Sequence, residues 1–158
     1  MLLLHKRLLM IELKDVTTKQ KADRKGLENY SLTVQNGEFC RLGRWEGRLV
    51  IRVLVGFQTL EDGYVSFDGM PLSANSATFL RKMIAYIPSP EGFDNVDDLA
   101  RKQLDMVEEA LNSDSDIILA IDPVSHQTDE AAQNIMNSLR RKAAKGRVVI
   151  VATDRTDL

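Results

Sequence analysis

The residues able to do chemistry gather around one stretch, RLGRWEGRLVIRVLVGF, which runs from Arg41 to Phe57. Two glycines, Gly43 and Gly47, follow an apolar strand pattern and open an apolar helical run. This layout suits a phosphate-binding turn, where successive backbone N–H groups and a helix N-terminus face an anion. The side chains do not complete it. Such a turn uses a lysine to reach the outer phosphates and a hydroxyl residue to ligate magnesium. Arg48, Leu49 and Val50 stand at that place instead. Arg48 could replace the lysine's charge, although its planar fork is not equivalent to an ammonium. Leu49 and Val50 offer magnesium no oxygen, and Glu46 would repel a phosphate.

Other candidates are thinly spread. Arg44, Arg48 and Arg52 recur every four residues, so they share a helical face. A salt-bridged or solvated face is the preferred reading of that row, and an anion or acidic-partner site is its alternative. Asp122 and Asp129 could be remnant ligands, but they read more simply as residues that cap and terminate elements. His126 lies in a loop and reads as a surface histidine. Cys40 falls inside an apolar strand pattern, so a structural thiol is expected rather than a nucleophile. Trp45, the one tryptophan, stands where phosphates would lie. It could fill a vacated pocket, anchor a partner at an interface, or be an ordinary core or turn residue.

The elements that would position these groups are legible from periodicity. MIELKDV from Met10 alternates as a strand, KQKADRKG is a polar loop, and LENYSLTV alternates again. QNG is a hairpin-turn signal, which makes EFCRL the returning strand of an antiparallel β layer. GRLVIRVLVGF reads as a buried helix, and EDGYVSFDGMPL as a strand between Asp-Gly turns. SATFLRKM reads as a short helix capped by Ser76 or Asn75, and IAYIP as a short buried strand. A helix carries Leu99, Met106, Val107, Ala110 and Leu111 at helical spacing. DIILAID and RVVIVAT are uninterrupted apolar strands of the kind buried on both faces. Between them lies an amphipathic helix stopped by Gly146. Strand, helix, strand implies a parallel crossover.

Bulk properties set limits. A chain of 158 residues, 44% apolar and 28% charged, suits one soluble domain with a single core. The formal charge of −2 gives no global pull toward nucleic acid. The basic run Arg140, Arg141, Lys142 lies on a predicted helix and reads as solvated. A single cysteine cannot form an intrachain disulfide, which fits a reducing, cytoplasmic setting. The opening MLLLHKRLLM is too short to span a bilayer and lacks a cleavage pattern. Residues 1–9 are expected to be an extension, with 10–158 as the domain proper.

Taken in order, these pieces resemble the ATPase subunit of ABC transporters. MIELKDV and GLENYSLTVQNGEFCRLG are similar to the family's opening. RVLVGFQTLEDGYVSFDGMPL is similar to the stretch after its phosphate loop, and LRKMIAYIP to the approach to its glutamine loop. SDSDIILAID resembles the Walker B strand, and GRVVIVAT the strand before the switch histidine. The likeness covers about residues 10–154. It implies a P-loop NTPase-like α/β fold, mainly a parallel sheet with helices, joined to an N-terminal antiparallel β layer. The short interval from Ser89 to Asp122 implies that the family's helical subdomain is largely missing.

The resemblance also implies what each chemical slot should hold. Gly43, Gly47, Arg48, Leu49 and Asp122 fall on the nucleotide-binding positions, where Asp122 matches the Walker B aspartate. Pro123 takes the place of the catalytic glutamate, and proline cannot act as a general base. Gln20 stands at the adenine-stacking position and Ser89 at the glutamine of the glutamine loop. Leu99, Ala100, Arg101, Lys102 and Gln103 occupy the signature sequence without its glycines. Asp129 is the D-loop aspartate, and Asp154 fills the switch-histidine slot with the wrong charge for a γ-phosphate. Each charge-assisted contact is worth ~1.5–3 kcal/mol. Losing three removes roughly 6 kcal/mol, about four orders of magnitude in affinity.

The expected protein is therefore a catalytically inactive relative of these ATPases that acts through protein contact. No catalytic residue, metal or cofactor is expected. Its partner would be another ATPase-like subunit or a second copy, with no nucleic acid and any membrane contact made through a partner. The alternative is a divergent ATP-binding subunit using ATP and magnesium, or a nucleotide or anion sensor that does not hydrolyse.

Overall fold

A computed structural model of the chain describes residues 7–8, 10–20, 24–90 and 98–158. Strands β1 (Met10–Thr18), β2 (Tyr30–Gln35), β4 (Leu60–Phe67) and β5 (Met70–Pro71) form an antiparallel sheet in the order β2-β1-β4-β5. Strands β3 (Phe39–Leu42), β6 (Ile84–Ile87), β7 (Ile117–Ile121) and β8 (Val148–Ala152) form a parallel sheet in the order β3-β8-β7-β6. Helix α1 (Arg44–Leu54) packs on the face of the parallel sheet turned toward the antiparallel one. Helices α3 (Leu99–Asn112) and α4 (Asp129–Ala144) cover its other face, and α2 (Ala77–Arg81) is one short turn. The mainly parallel α/β fold with its antiparallel layer is as expected. α3 is the one helix described between Ser89 and Asp122.

The alternation of side chains explains the layering. Ile117, Leu119 and Ile121 of β7, with Val148, Ile150 and Ala152 of β8, join the core that also holds Val50, Ile51 and Leu54 of α1. Ile118, Ala120, Val149 and Val151 point the other way, to Ala132, Ile135, Met136 and Leu139 of α4. Both strands are buried throughout, as a parallel sheet covered on two faces requires. The crossover from β7 through α4 lands on the adjacent strand β8.

Three local expectations are corrected. The QNG turn does not make a hairpin: β2 pairs only with β1, and β3 lies beside β8 in the other sheet. Gly37 does turn the chain, at φ 87°. Its N–H, however, donates to the Arg147 carbonyl at 2.9 Å, which hooks the turn to the parallel sheet. A short turn signal fixes a local reversal but not which strand lies beyond it. Second, Asp62 and Gly63 lie inside β4 rather than at a turn. The apolar positions of β1 slip phase between Leu13 and Val16, so the ladder shifts register there. Asp15 adopts a φ of 50° and Gly63 one of 81°. A Cβ at Gly63 would collide with the Asp15 carbonyl, so only glycine fits this crossing. Third, Ser76 precedes α2 without capping it: its hydroxyl donates to the Pro71 carbonyl at 2.7 Å.

Two residues of the expected extension are tied to the body. Leu8 is buried in the core and its N–H donates to Asp116 Oδ2 at 2.9 Å. Arg7 bridges Asp114 and Asp116 at 2.6 and 2.7 Å. Residues 1–6 and residue 9 lie outside the described residues.

Candidate functional site

The carboxyl ends of β3, β8 and β7 converge at one edge of the parallel sheet, the place where open α/β sheets bind ligands. From β3 the chain passes through a single residue, Gly43, before α1 starts at Arg44. The helix therefore begins three positions before Gly47, its expected start. Gly47 lies in its first turn and faces β8. A Cβ there would lie 2.5 Å from Ala152 Cβ and 3.1 Å from Leu42 Cβ. The second glycine thus serves close packing of helix on sheet, not a loop around an anion.

The chain's own carboxylates occupy the start of α1. The Arg44 N–H, which heads the helix, donates to Asp154 Oδ1 at 2.9 Å. The Arg44 side chain meets Asp122 Oδ2 through Nε at 2.6 Å. Asp122 is buried, takes a left-handed φ of 47° and donates its N–H to the Ala152 carbonyl at 2.9 Å. The structure therefore joins three sequence candidates, Gly43, Asp122 and Asp154, around Arg44. A helix N-terminus carries partial positive charge. Here an aspartate from the far end of the chain answers it. No sequence pattern announced that contact, because Asp154 is 110 residues from Arg44.

The remaining slot residues have other work. Gln103 is fully buried. Its Nε2 donates to the Asp122 carbonyl at 2.8 Å and to Ser125 Oγ at 3.1 Å. Its Oε1 accepts from the His126 N–H at 3.0 Å and from Gln127 Nε2 at 3.1 Å. It staples α3 to the loop after β7, and a fully buried side chain presents nothing to another subunit. Asp129 is exposed at the start of α4 and pairs with Arg155 at 3.1 Å. Leu49 is half-buried and packs against the core around α1. Pro123 is buried, and His126 is exposed as expected.

A cavity of about 620 Å³ opens beside α1, between the helix and the loop after β1. Lys19, Arg24, Lys25, Arg44, Arg48 and Arg52 line it, together with Asp154. The arginine row of α1 therefore faces a cleft, and the loop contributes three cations that the sequence analysis did not single out. Their signal was the lysine-rich KQKADRKG. Trp45, 53% exposed, lines the wall and leaves the cavity open, so it does not act as a filler. Gln20 and Trp45 line a second, smaller cavity of about 470 Å³ alongside. Glu46 belongs to that side, where burial and its hydrogen bond with Tyr30 push the phenol above its usual range. Burial also pushes the Cys40 thiol up to about 11, with Glu38 and Glu46 adding to the effect. That keeps it a neutral, inert thiol near neutral pH.

The fold is that of an ABC-transporter ATP-binding domain. No protein-family model matches the chain. The spermidine/putrescine import ATP-binding protein PotA of Pasteurella multocida (strain Pm70) is 30% identical over 95 residues, covering 55% of this chain and 25% of that protein. The chain thus spans about a quarter of that curated relative. A solved structure described as an ABC transporter (ATP-binding protein) from Pyrococcus furiosus superposes with a TM-score of 0.74 at 13% identity, covering 94% of this chain and 92% of the other. An ATP-binding subunit of an ABC transporter gives a TM-score of 0.69 at 17% identity, over 91% and 79% of the two chains. At these identities the structural likeness defines the fold. No helix among the described residues is long and apolar enough to cross a membrane.

Proposed function

We propose that the protein is a non-hydrolysing relative of ABC-type ATP-binding subunits that acts by binding another protein. The observation that carries this reading is the double use of Arg44, whose N–H is donated to Asp154 and whose guanidinium pairs with Asp122. A phosphate at this position would have to displace a carboxylate already held by the helix start, and would face its charge. The residues also fit a magnesium nucleotide poorly. One residue between strand and helix cannot form an amide cradle. The side chain that would ligate magnesium is Leu49, and the position for a general base is Pro123. The scaffold survives without the parts of the reaction, as in a protein kept for its surface.

The partner on this reading is an ATPase-like subunit or a second copy, and any membrane association runs through it. The test is a titration of the full chain with ATP, with and without magnesium, following Trp45 fluorescence and the melting temperature. Neither is expected to change up to several millimolar ATP. A clear magnesium-dependent shift would overturn the reading in favour of a working ATP-binding subunit.

A further inference from the structure

The cleft beside α1 concentrates charge on a chain that is acidic overall. Six cationic side chains line it, from the loop after β1 and from α1, against the single carboxylate of Asp154 among the described residues. The whole chain carries a formal charge of −2. Arg44 is committed to Asp122. No ion pair joins Lys19, Arg24, Lys25, Arg48 or Arg52 to a described carboxylate. Their mutual repulsion is a standing cost that an anionic ligand would relieve.

We infer that this cleft docks an acidic segment of a partner protein, with its carboxylates aligned on the arginine row of α1 and Trp45 as the anchor at the mouth. This rests on the protein-contact reading above and names the chemistry of the contact. Arg44, Arg48 and Arg52 are one helical turn apart, about 6 Å along the axis. Carboxylates on one face of a helix repeat at the same distance, and alternate side chains of a strand at about 6.6 Å. The fold already uses carboxylates on the first arginine of the row, Asp154 on the Arg44 N–H and Asp122 on its guanidinium. An acidic segment continues that pattern outward along the helix. A nucleotide tail would instead need clustered amides at the helix start, where the one loop residue is Gly43. Trp45, 53% exposed on the wall, supplies the aromatic surface common at the centres of protein contacts.

The test uses the full chain and a synthetic peptide with glutamate at every fourth residue, beside the same peptide carrying glutamine. Trp45, the one tryptophan, reports binding by fluorescence, and calorimetry measures affinity. The glutamate peptide is expected to bind at least tenfold more tightly than the glutamine peptide, and more weakly as salt rises. Arg48→Glu with Arg52→Glu should weaken it at least tenfold. Arg48→Gln with Arg52→Gln should give an intermediate loss at an unchanged melting temperature, which separates lost contact from lost folding. Equal binding of both peptides, or unchanged affinity in the variants, overturns the inference. So does tighter binding of tripolyphosphate or of a single-stranded oligonucleotide than of the peptide. Peptide failure with ATP still silent sinks this inference alone, whereas magnesium-dependent ATP binding sinks the reading beneath it as well.

Discussion

Helices α1 and α4 both start at the carboxyl edge of the parallel sheet, and they solve the same problem in opposite ways. The start of α4 is satisfied by its own neighbours. Thr128 Oγ1 accepts the Ala131 N–H at 3.2 Å, and Asp129 and Glu130 place negative charge in the first turn. The start of α1 has Gly43, which has no side chain to offer, and its first-turn acid, Glu46, is hydrogen-bonded to Tyr30. Its anion is Asp154, delivered from beyond β8. A locally capped helix needs nothing from outside. A helix whose own neighbours leave its start uncapped is built to receive an anion, and in this protein the anion is internal.

Both starts depend on the loop after β7, so the largest effect is expected from the residue that holds it. Gln103→Ala removes four hydrogen bonds, to the Asp122 carbonyl (which keeps Ser125), Ser125 Oγ, the His126 N–H and Gln127 Nε2. Each such bond is worth ~0.5–1.5 kcal/mol, so a loss of about 3 kcal/mol is expected in urea unfolding. Gln127→Ala, at a half-buried position that contacts Gln103 and Ala100, should cost clearly less. If the two substitutions cost the same, Gln103 is not the staple.

Arg44→Ala comes next. It leaves the buried Asp122 carboxylate without its closest cation. Breaking a buried pair costs ~3–5 kcal/mol, and because Arg44 is 42% exposed we expect about 2 kcal/mol. A double-mutant cycle with Asp122→Asn should show coupling between the two sites, whereas Arg48→Ala should show none with Asp122.

The same contrast explains what could be read from the sequence. The Gly146 stop and the two buried strands involve residues close together in the chain, and both were legible; at α4 the cap is Thr128, one residue before the Asp129 that the sequence suggested. So was the order of strands and helices that made the likeness to the ABC ATPase domain visible. What escaped depended on distance. The partner of β3 was missed because Asn36 and Gly37 specify a reversal, while the choice of β8 over β2 is made by the apolar run at 148–152. The bulge opposite Gly63 was missed because the slip from Leu13 to Val16 shows its consequence only when β4 lies across it. Gln103 sits on the signature slot of the resemblance, yet its burial follows from how α3 lies on the sheet. Asp154 was legible as a charge in the wrong slot, but not as a cap.

The caps themselves give a smaller and more pointed test. Thr128→Ala and Asp154→Ala should each cost about 1 kcal/mol, since each removes one acceptor at a helix start. Only the second should change anion binding. Without Asp154 the α1 start recovers an unanswered N–H and its positive end, beside the cations of the cleft. Raising phosphate at constant ionic strength should then raise the melting temperature of Asp154→Ala more than that of the wild type or of Thr128→Ala. If phosphate stabilises all three equally, the two starts do not differ in the way argued.

The smallest effect is expected at Asp129. Its carboxylate is 94% exposed and its one described ion pair is with Arg155, which also holds Asp157 at 2.9 Å. Exposed pairs contribute little and are screened by salt. Asp129→Asn should therefore destabilise less than Thr128→Ala, one residue earlier, and its own cost should vanish at high salt. Arg155 also holds the Asp157 carboxyl down to about 2, from a usual 3.8. The sign follows from linkage. A depressed pKa adds stability that is complete above the unfolded value of 3.8 and is lost as pH falls through about 2. Asp157→Asn should therefore flatten the acid limb of the stability curve in that window and lose its small, salt-screened contribution at every pH above it. A neutral-pH loss at either carboxylate equal to that of Thr128→Ala would mean that the start of α4, like that of α1, leans on distant charge.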